Sequence, residues 1–153
     1  MKALELKFPP LPLAVGFGFL MWAIDRWLPT PTQHSVIRAA LSLTILALAL
    51  AVVVVAVLGF RKAKTTVDPF HPESASAIVT SGIYRFTRNP MYLGFLLALV
   101  ALAVFLGNWL SALMPLVFVM YMNRFQIAPE ERVLRAMFGA SYEAYLRSVR
   151  RWI

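Results

Sequence analysis

The chain has 153 residues, 60% of them hydrophobic, with a mean hydropathy of +0.71 and a net charge of +8. That apolar share exceeds the roughly 45–50% of an ordinary soluble domain, and the surplus is best explained by lipid. The length suits a single unit of about 1–153. There are no cysteines, which excludes disulfides, thiolate metal sites and cysteine nucleophiles, and two separated histidines, His34 and His71, do not make a metal centre.

The N-terminal run from Phe8 to Ile24 carries no charge and ends in Asp25-Arg26 between Trp22 and Trp27, which predicts a first span over about 8–28 with an aromatic interfacial end. Lys2 and Lys7 precede it, but no small-residue cleavage site follows, so a signal peptide is not expected. Pro29 to Thr32 reads as a turn. Ala39 to Phe60 is again uncharged, predicting a span over about 37–60; the four valines at 52–55 would favour a strand in water, but a bilayer requires the backbone to satisfy itself.

Asn89 to Asn123 holds no charge and is too long for one span. Gly107-Asn108-Trp109 divides it into a tight hairpin with spans over about 90–107 and 109–127. Gly94, Ala98 and Ala101 fall on one helix face and would admit a close neighbour, while Pro115 is expected to kink the last span. Basic residues gather before the first span (Lys2, Lys7), in the second loop (Arg61, Lys62, Lys64, Arg85, Arg88), and at and beyond the last span (Arg124, Arg132, Arg135, Arg147, Arg150, Arg151). The positive-inside rule then places both termini and the large loop in the cytoplasm. The expected fold class is all-α: an integral-membrane, multi-pass protein of four transmembrane helices with a cytoplasmic loop and C-terminal amphipathic helices. The arginines read as orientation signals and headgroup contacts rather than a nucleic-acid surface.

The tail over 129–151 opens with Pro129-Glu130-Glu131, and Leu134, Met137, Phe138, Tyr142, Tyr145 and Val149 recur at helical spacing. Gly139 is expected to split it into two helices, and Arg147, Arg150 and Arg151 beside Trp152 to rest on anionic headgroups. No internal repeat is evident.

Each polar residue at the water boundary has an ordinary structural role open to it. Asn89-Pro90 suits a helix start, Glu130-Glu131 suits an acidic first turn with Glu131 pairing to Arg135, and Tyr84 and Tyr92 suit an aromatic belt. Together they suggest more, because arginine, asparagine, tyrosine and paired glutamates all fall at one interface. Carboxylates can accept from an ammonium or a ribose diol, arginine can grip a carboxylate, and the helix start at Pro90 offers free N–H groups to an anion. Such a set suits a zwitterionic, nucleoside-bearing ligand.

The order Thr65-Thr66-Val67-Asp68-Pro69, Gly82-Ile83-Tyr84-Arg85, Arg88-Asn89-Pro90-Met91-Tyr92-Leu93-Gly94, Glu130-Glu131-Arg132-Val133-Leu134, Phe138 to Tyr145 and Arg150 to Ile153 resembles the isoprenylcysteine carboxyl methyltransferase-like family, itself similar to the integral-membrane phospholipid methyltransferases. The resemblance covers roughly the last ninety residues. Many relatives read Arg-His-Pro where this chain has Arg88-Asn89-Pro90, which puts a proton-carrying role at that position in question. The resemblance implies S-adenosylmethionine as methyl donor, bound on the cytoplasmic side by the C-terminal half, and a lipophilic acceptor from the bilayer: a prenylcysteine-like carboxylate, a phospholipid amine or another isoprenoid.

On that reading Arg88 and Glu131 are the catalytic candidates, Arg88 holding the acceptor or the cofactor carboxylate and Glu131 binding ammonium or ribose. Tyr84, Arg85, Asn89, Pro90, Tyr92, Gly94 and Glu130 join Glu131 as cofactor-binding candidates, no metal site is expected, and Thr65–Pro69 is a candidate lid. Membrane lipids are the expected surroundings. Two alternatives stay open: an NADPH-dependent membrane reductase of the steroid-reductase type, and a non-catalytic membrane adaptor or lipid-binding module.

Overall fold

A computed structural model of the chain describes residues 4–29, 35–63 and 77–153. The turn over 30–32, both histidines and the candidate lid Thr65–Pro69 lie outside the described residues. Among the described residues every regular element is helical: α1 (Pro10–Trp27), α2 (Val36–Lys62), α3 (Pro90–Leu106), α4 (Met114–Tyr121), α5 (Ala128–Phe138) and α6 (Ala140–Ser148). Short 3-10 turns cover Gly82–Arg85 and Ser111–Leu113, and a π-turn, Met122–Ile127, joins α4 to α5.

The helix starts follow from local chemistry. Pro10 and Pro90 occupy first-turn positions, where a missing N–H costs nothing, and the Ser35 hydroxyl accepts the Arg38 N–H at 3.2 Å. Of the described helices, α2 is long and apolar enough to cross a membrane; α3 is as apolar but shorter. At about 1.5 Å per residue, the 27 residues of α2 outrun a hydrocarbon core of roughly 30 Å. Most of its surface faces outward, including Leu43, Leu50 and Val54.

The most extensive contact in the bundle is between α2 and α3. Ser42, Ala49 and Ala56 recur every seventh residue on the buried face of α2, opposite Ala101, Gly94 and the Tyr84 ring in turn, so the two helices run antiparallel. A Cβ on Gly94 would run into the Val53 side chain and lie 3.0 Å from the Ala49 carbonyl oxygen. That closeness makes α3 a neighbour of α2 through dispersion contacts rather than through water exclusion. The Ser42 hydroxyl donates to the Ala101 carbonyl at 2.8 Å, an interhelical bond worth about 0.6 kcal/mol in such settings. The small-residue face expected on α3 therefore packs within the chain.

At the other end of α3, Gly107 takes φ +66 and closes the helix, its N–H bonding to the Ala103 carbonyl at 2.9 Å. Buried Asn108 then starts the next helix: its Oδ1 accepts from the Leu110 and Ser111 N–H groups while its Nδ2 donates to the Leu28 carbonyl. The expected hairpin at Gly107-Asn108 is present. The core between α1, α3 and α4 is apolar, centred on Met21, Leu99, Phe118 and Met122, with Phe17 and Phe118 in an edge-to-face pair at 5.6 Å.

Two expectations change. Pro115 does not kink a helix: the Ser111 carbonyl it would have opposed is already taken by the Met114 N–H of the 3-10 turn, so Pro115 sits harmlessly in the first turn of α4. The irregularity comes instead ahead of Pro129, where the helix widens into the π-turn and runs on into α5. Gly139 does divide the tail, at φ +51 and ψ −126, a backbone shape reserved for glycine.

Candidate active site

A cleft of about 230 Å³ opens where the end of α2, the Gly82–Arg85 turn, the start of α3 and the start of α5 converge. Phe60, Tyr84, Arg88, Asn89, Pro90, Met91, Tyr92 and Glu130 line it.

The cleft floor is polar. The Tyr92 hydroxyl, buried on α3, donates to Glu130 Oε2 at 3.0 Å and is also hydrogen-bonded by Gln126, one helical turn before Glu130. Burial raises the Glu130 carboxyl from its ordinary 4.5 to about 7; the Tyr92 hydrogen bond opposes the rise and the charge of Glu131 adds to it. Glu130 thus changes charge near neutral pH. Tyr84 forms the wall: its hydroxyl donates to the Ala56 carbonyl at 3.4 Å, its ring meets Phe60 edge to face, and its own carbonyl accepts from the Tyr145 hydroxyl at 2.7 Å. Burial pushes the Tyr84 phenol well up and the Tyr145 phenol to about 12, so both remain hydrogen-bond donors at working pH.

Glu131 sits behind the cleft in a knot of arginines. Its side chain is 8% exposed, and it accepts from Arg88 Nη2 at 3.0 Å and from Arg151 twice, at 3.1 Å (Nε) and 2.7 Å (Nη2). Arg88 spends its other terminal nitrogen on the Leu146 and Val149 carbonyls, both at 2.9 Å, which caps the C-terminal end of α6. The final residues cross this knot. The Arg88 N–H donates to the Arg150 carbonyl, Thr87 Oγ1 and Asn89 Nδ2 donate to the Arg151 carbonyl at 3.3 and 2.9 Å, and Trp152 Nε1 donates to Asn123 Oδ1 at 3.0 Å. Together these bonds stitch the C-terminal segment to the entrance of α3 and to the π-turn.

The structure thus brings Tyr84, Arg88, Asn89, Pro90, Tyr92 and Glu130 onto one cleft. Glu131 lies beneath it, Gly94 lies in the α2–α3 contact, and Arg85 points outward from the turn. Two pairings differ from expectation. Arg135 pairs with Glu143 at 3.1 Å rather than with Glu131, because Glu131 faces inward and is already neutralised. Arg151 and Trp152 turn into the protein rather than toward headgroups, while Arg147 and Arg150 stay exposed. Sequence reasoning missed Phe60, Gln126, Asn123 and Arg151. Asn123 and Gln126 left a signal as polar residues at the end of the long apolar run, Gln126 four positions before Glu130.

A buried ion knot thus lies behind a carboxylate-bearing, aromatic-walled cleft at the end of an apolar helix, and comparison with known proteins gives the class of protein that carries it. The chain belongs to the phospholipid methyltransferase family, whose model matches residues 36–141. It is 30% identical over 140 residues to a probable protein-S-isoprenylcysteine O-methyltransferase of Oryza sativa subsp. indica, covering 90% of this chain and 72% of that one. A protein-S-isoprenylcysteine O-methyltransferase of Schizosaccharomyces pombe is 38% identical over 73 residues, 47% of this chain and 30% of its own. An uncharacterized protein of Haemophilus influenzae is 46% identical over 63 residues, 41% of this chain and all of its own. No solved structure matches. The protein is a methyltransferase of this family.

Proposed function

We propose that the protein transfers the methyl group of S-adenosylmethionine to a lipophilic acceptor at the cytoplasmic face of a membrane, as a four-span protein with both termini in the cytoplasm. The observation that carries this reading is the meeting of the Glu130 carboxyl, the amide end of α3 and the rings of Phe60, Tyr84 and Tyr92 in one cleft at the end of apolar α2. A polar ligand there lies beside the bilayer. The topology draws support from the two chain ends: Glu5 and Leu6 reach the π-turn and Arg150–Trp152 reach the start of α3, both at the cleft end of the bundle.

The donor set fits a sulfonium nucleoside. Glu130 would accept from its ammonium or ribose hydroxyls, and the aromatic walls would favour a cation and an adenine ring. When bound, S-adenosylmethionine supplies an electrophilic methyl carbon. The protein's part is positional: Tyr92, itself hydrogen-bonded by Gln126, holds the Glu130 carboxyl, Tyr145 holds the Tyr84 wall, and Arg88, anchored on α6 and Glu131, holds the α3 entrance in register. Arg88 and Glu131 act in this scheme by positioning the cleft. Exclusion of water by the apolar surroundings favours a reaction in which charge is lost. The acceptor is a prenylcysteine-like carboxylate, a phospholipid amine or a related hydrophobic molecule.

The test is a calorimetric titration of the detergent-purified protein with S-adenosylhomocysteine, followed by labelled-methyl transfer to total membrane lipid and to prenylcysteines. Saturable binding that weakens in Glu130→Gln is expected. Absence of binding by the unmodified protein would remove the reading.

A further inference from the structure

Pro129 creates a local problem that the rest of the chain resolves. It has no N–H, and in a regular helix its ring would press on the carbonyl of Phe125, four residues back. The helix widens instead, with the Ala128 N–H bonding to the Asn123 carbonyl five residues back. The Phe125 carbonyl finds its partner far away in sequence: it accepts from the Leu6 N–H at 3.0 Å. To deliver that bond Leu6 adopts φ +55, a conformation seldom taken by residues other than glycine.

Glu5 reinforces the attachment on both sides of the irregularity. Its carboxylate pairs with Arg124 at 3.4 Å, inside the π-turn, and with Arg132, beyond Pro129. The Glu5 side chain is only 13% exposed, although both arginines are more than half exposed. Between these two arginines lie Gln126 and Glu130, the residues that bracket the Tyr92 hydroxyl in the cleft.

We propose that Glu5 and Leu6 form a strap that holds the π-turn in its widened form and so positions Gln126 and Glu130 toward Tyr92. The inference rests on the reading of the cleft as the methyl-donor site. Its physical basis is register. Loss of the extra residue from the turn would rotate everything after it by about 100° about the helix axis, since an α-helix has 3.6 residues per turn. Glu130 would then leave Tyr92, and Glu131 would leave Arg88. Leu6 satisfies the carbonyl that the widened turn exposes, and Glu5 fixes the residues before and after it.

The experiment compares the unmodified full chain with Glu5→Ala and Glu5→Gln in detergent, reading amide hydrogen exchange over residues 122–131, S-adenosylhomocysteine affinity and the unfolding midpoint. Glu5→Ala should speed exchange in that segment and weaken affinity by about 2- to 30-fold, with little change in midpoint. Glu5→Gln keeps one acceptor oxygen, enough for one of the two guanidiniums, while its NH2 group faces the other, so it should recover part of both. Unchanged exchange in Glu5→Ala overturns the strap, as does unchanged affinity in a protein whose parent binds, or an equal loss in the two variants. If the parent does not bind, the methyl-donor reading falls and hydrogen exchange alone decides whether the strap holds the turn.

Discussion

The α2–α3 seam and the Arg88–Glu131–Arg151 knot lie at adjoining levels of the same bundle, yet they are held by opposite means. The seam works because side chains are missing: Gly94, Ala49 and Ala56 let two backbones approach, and the attraction is spread over many weak contacts. The knot works because two guanidiniums converge on the one buried Glu131 carboxylate. A seam tolerates small losses and resists additions. A knot tolerates little removal, since each partner taken away strips charge-assisted bonds from groups held largely out of water.

The largest expected effect therefore falls on the knot. Arg88→Ala strips Glu131 of one cation and uncaps the Leu146 and Val149 carbonyls, which should cost about 3 kcal/mol, near the low end for a broken buried pair because Arg151 remains. Denaturant titration of the detergent-solubilised protein checks this, and a loss below about 1 kcal/mol, the scale of an exposed pair, would erase the contrast. Next comes addition to the seam. Gly94→Val should cost about 1–3 kcal/mol by overpacking, whereas truncation of outward-facing Leu43 should leave the midpoint almost unmoved.

Glu130 sharpens the comparison through pH. Its folded-state pKa of about 7 lies above the ordinary 4.5, so between those values the folded protein holds a proton that the unfolded chain has released. The carboxyl's contribution to stability therefore falls as pH rises from about 4.5 through about 7, and Glu130→Gln should flatten that slope in unfolding midpoints. Ligand affinity should move the opposite way if the ionised carboxylate receives an ammonium, rising with pH through about 7 in the parent and staying level in the variant. The smallest effect is expected at Arg135–Glu143, where both side chains are nearly half exposed: Arg135→Ala should change stability by less than about 0.5 kcal/mol.

The same comparison explains how much could be read from the sequence. The small residues Gly94, Ala98 and Ala101 on one face, the charge-free runs and the Gly107-Asn108 break carry their meaning locally, and α1, α2 and α3 lie along those charge-free runs. Of the motif Arg88 to Gly94 and the pair Glu130-Glu131, Arg88 to Tyr92 and Glu130 line the cleft, while Gly94 and Glu131 do not. What could not be read was the choice of polar partners. Glu131 had Arg135 four residues away and took Arg88 and Arg151, 43 and 20 residues distant, because its facing direction is set by the π-turn ahead of Pro129. A proline in that setting reads equally well as the start of a new helix, and its effect on register becomes visible only when Leu6 is seen on the Phe125 carbonyl.

Asn89 ties the end of the chain to the mouth of the cleft through a primary amide, donating to the Arg151 carbonyl. A primary amide keeps both its protons throughout the pH range in which proteins work, and it has no second tautomer that would turn a donor into an acceptor. An imidazole in the same place would titrate near neutrality. In this chain the fastening beside the cleft is therefore indifferent to acidity while the carboxyl within it is not, so a change of pH alters the charge presented to a ligand without loosening the latch that shapes its entrance.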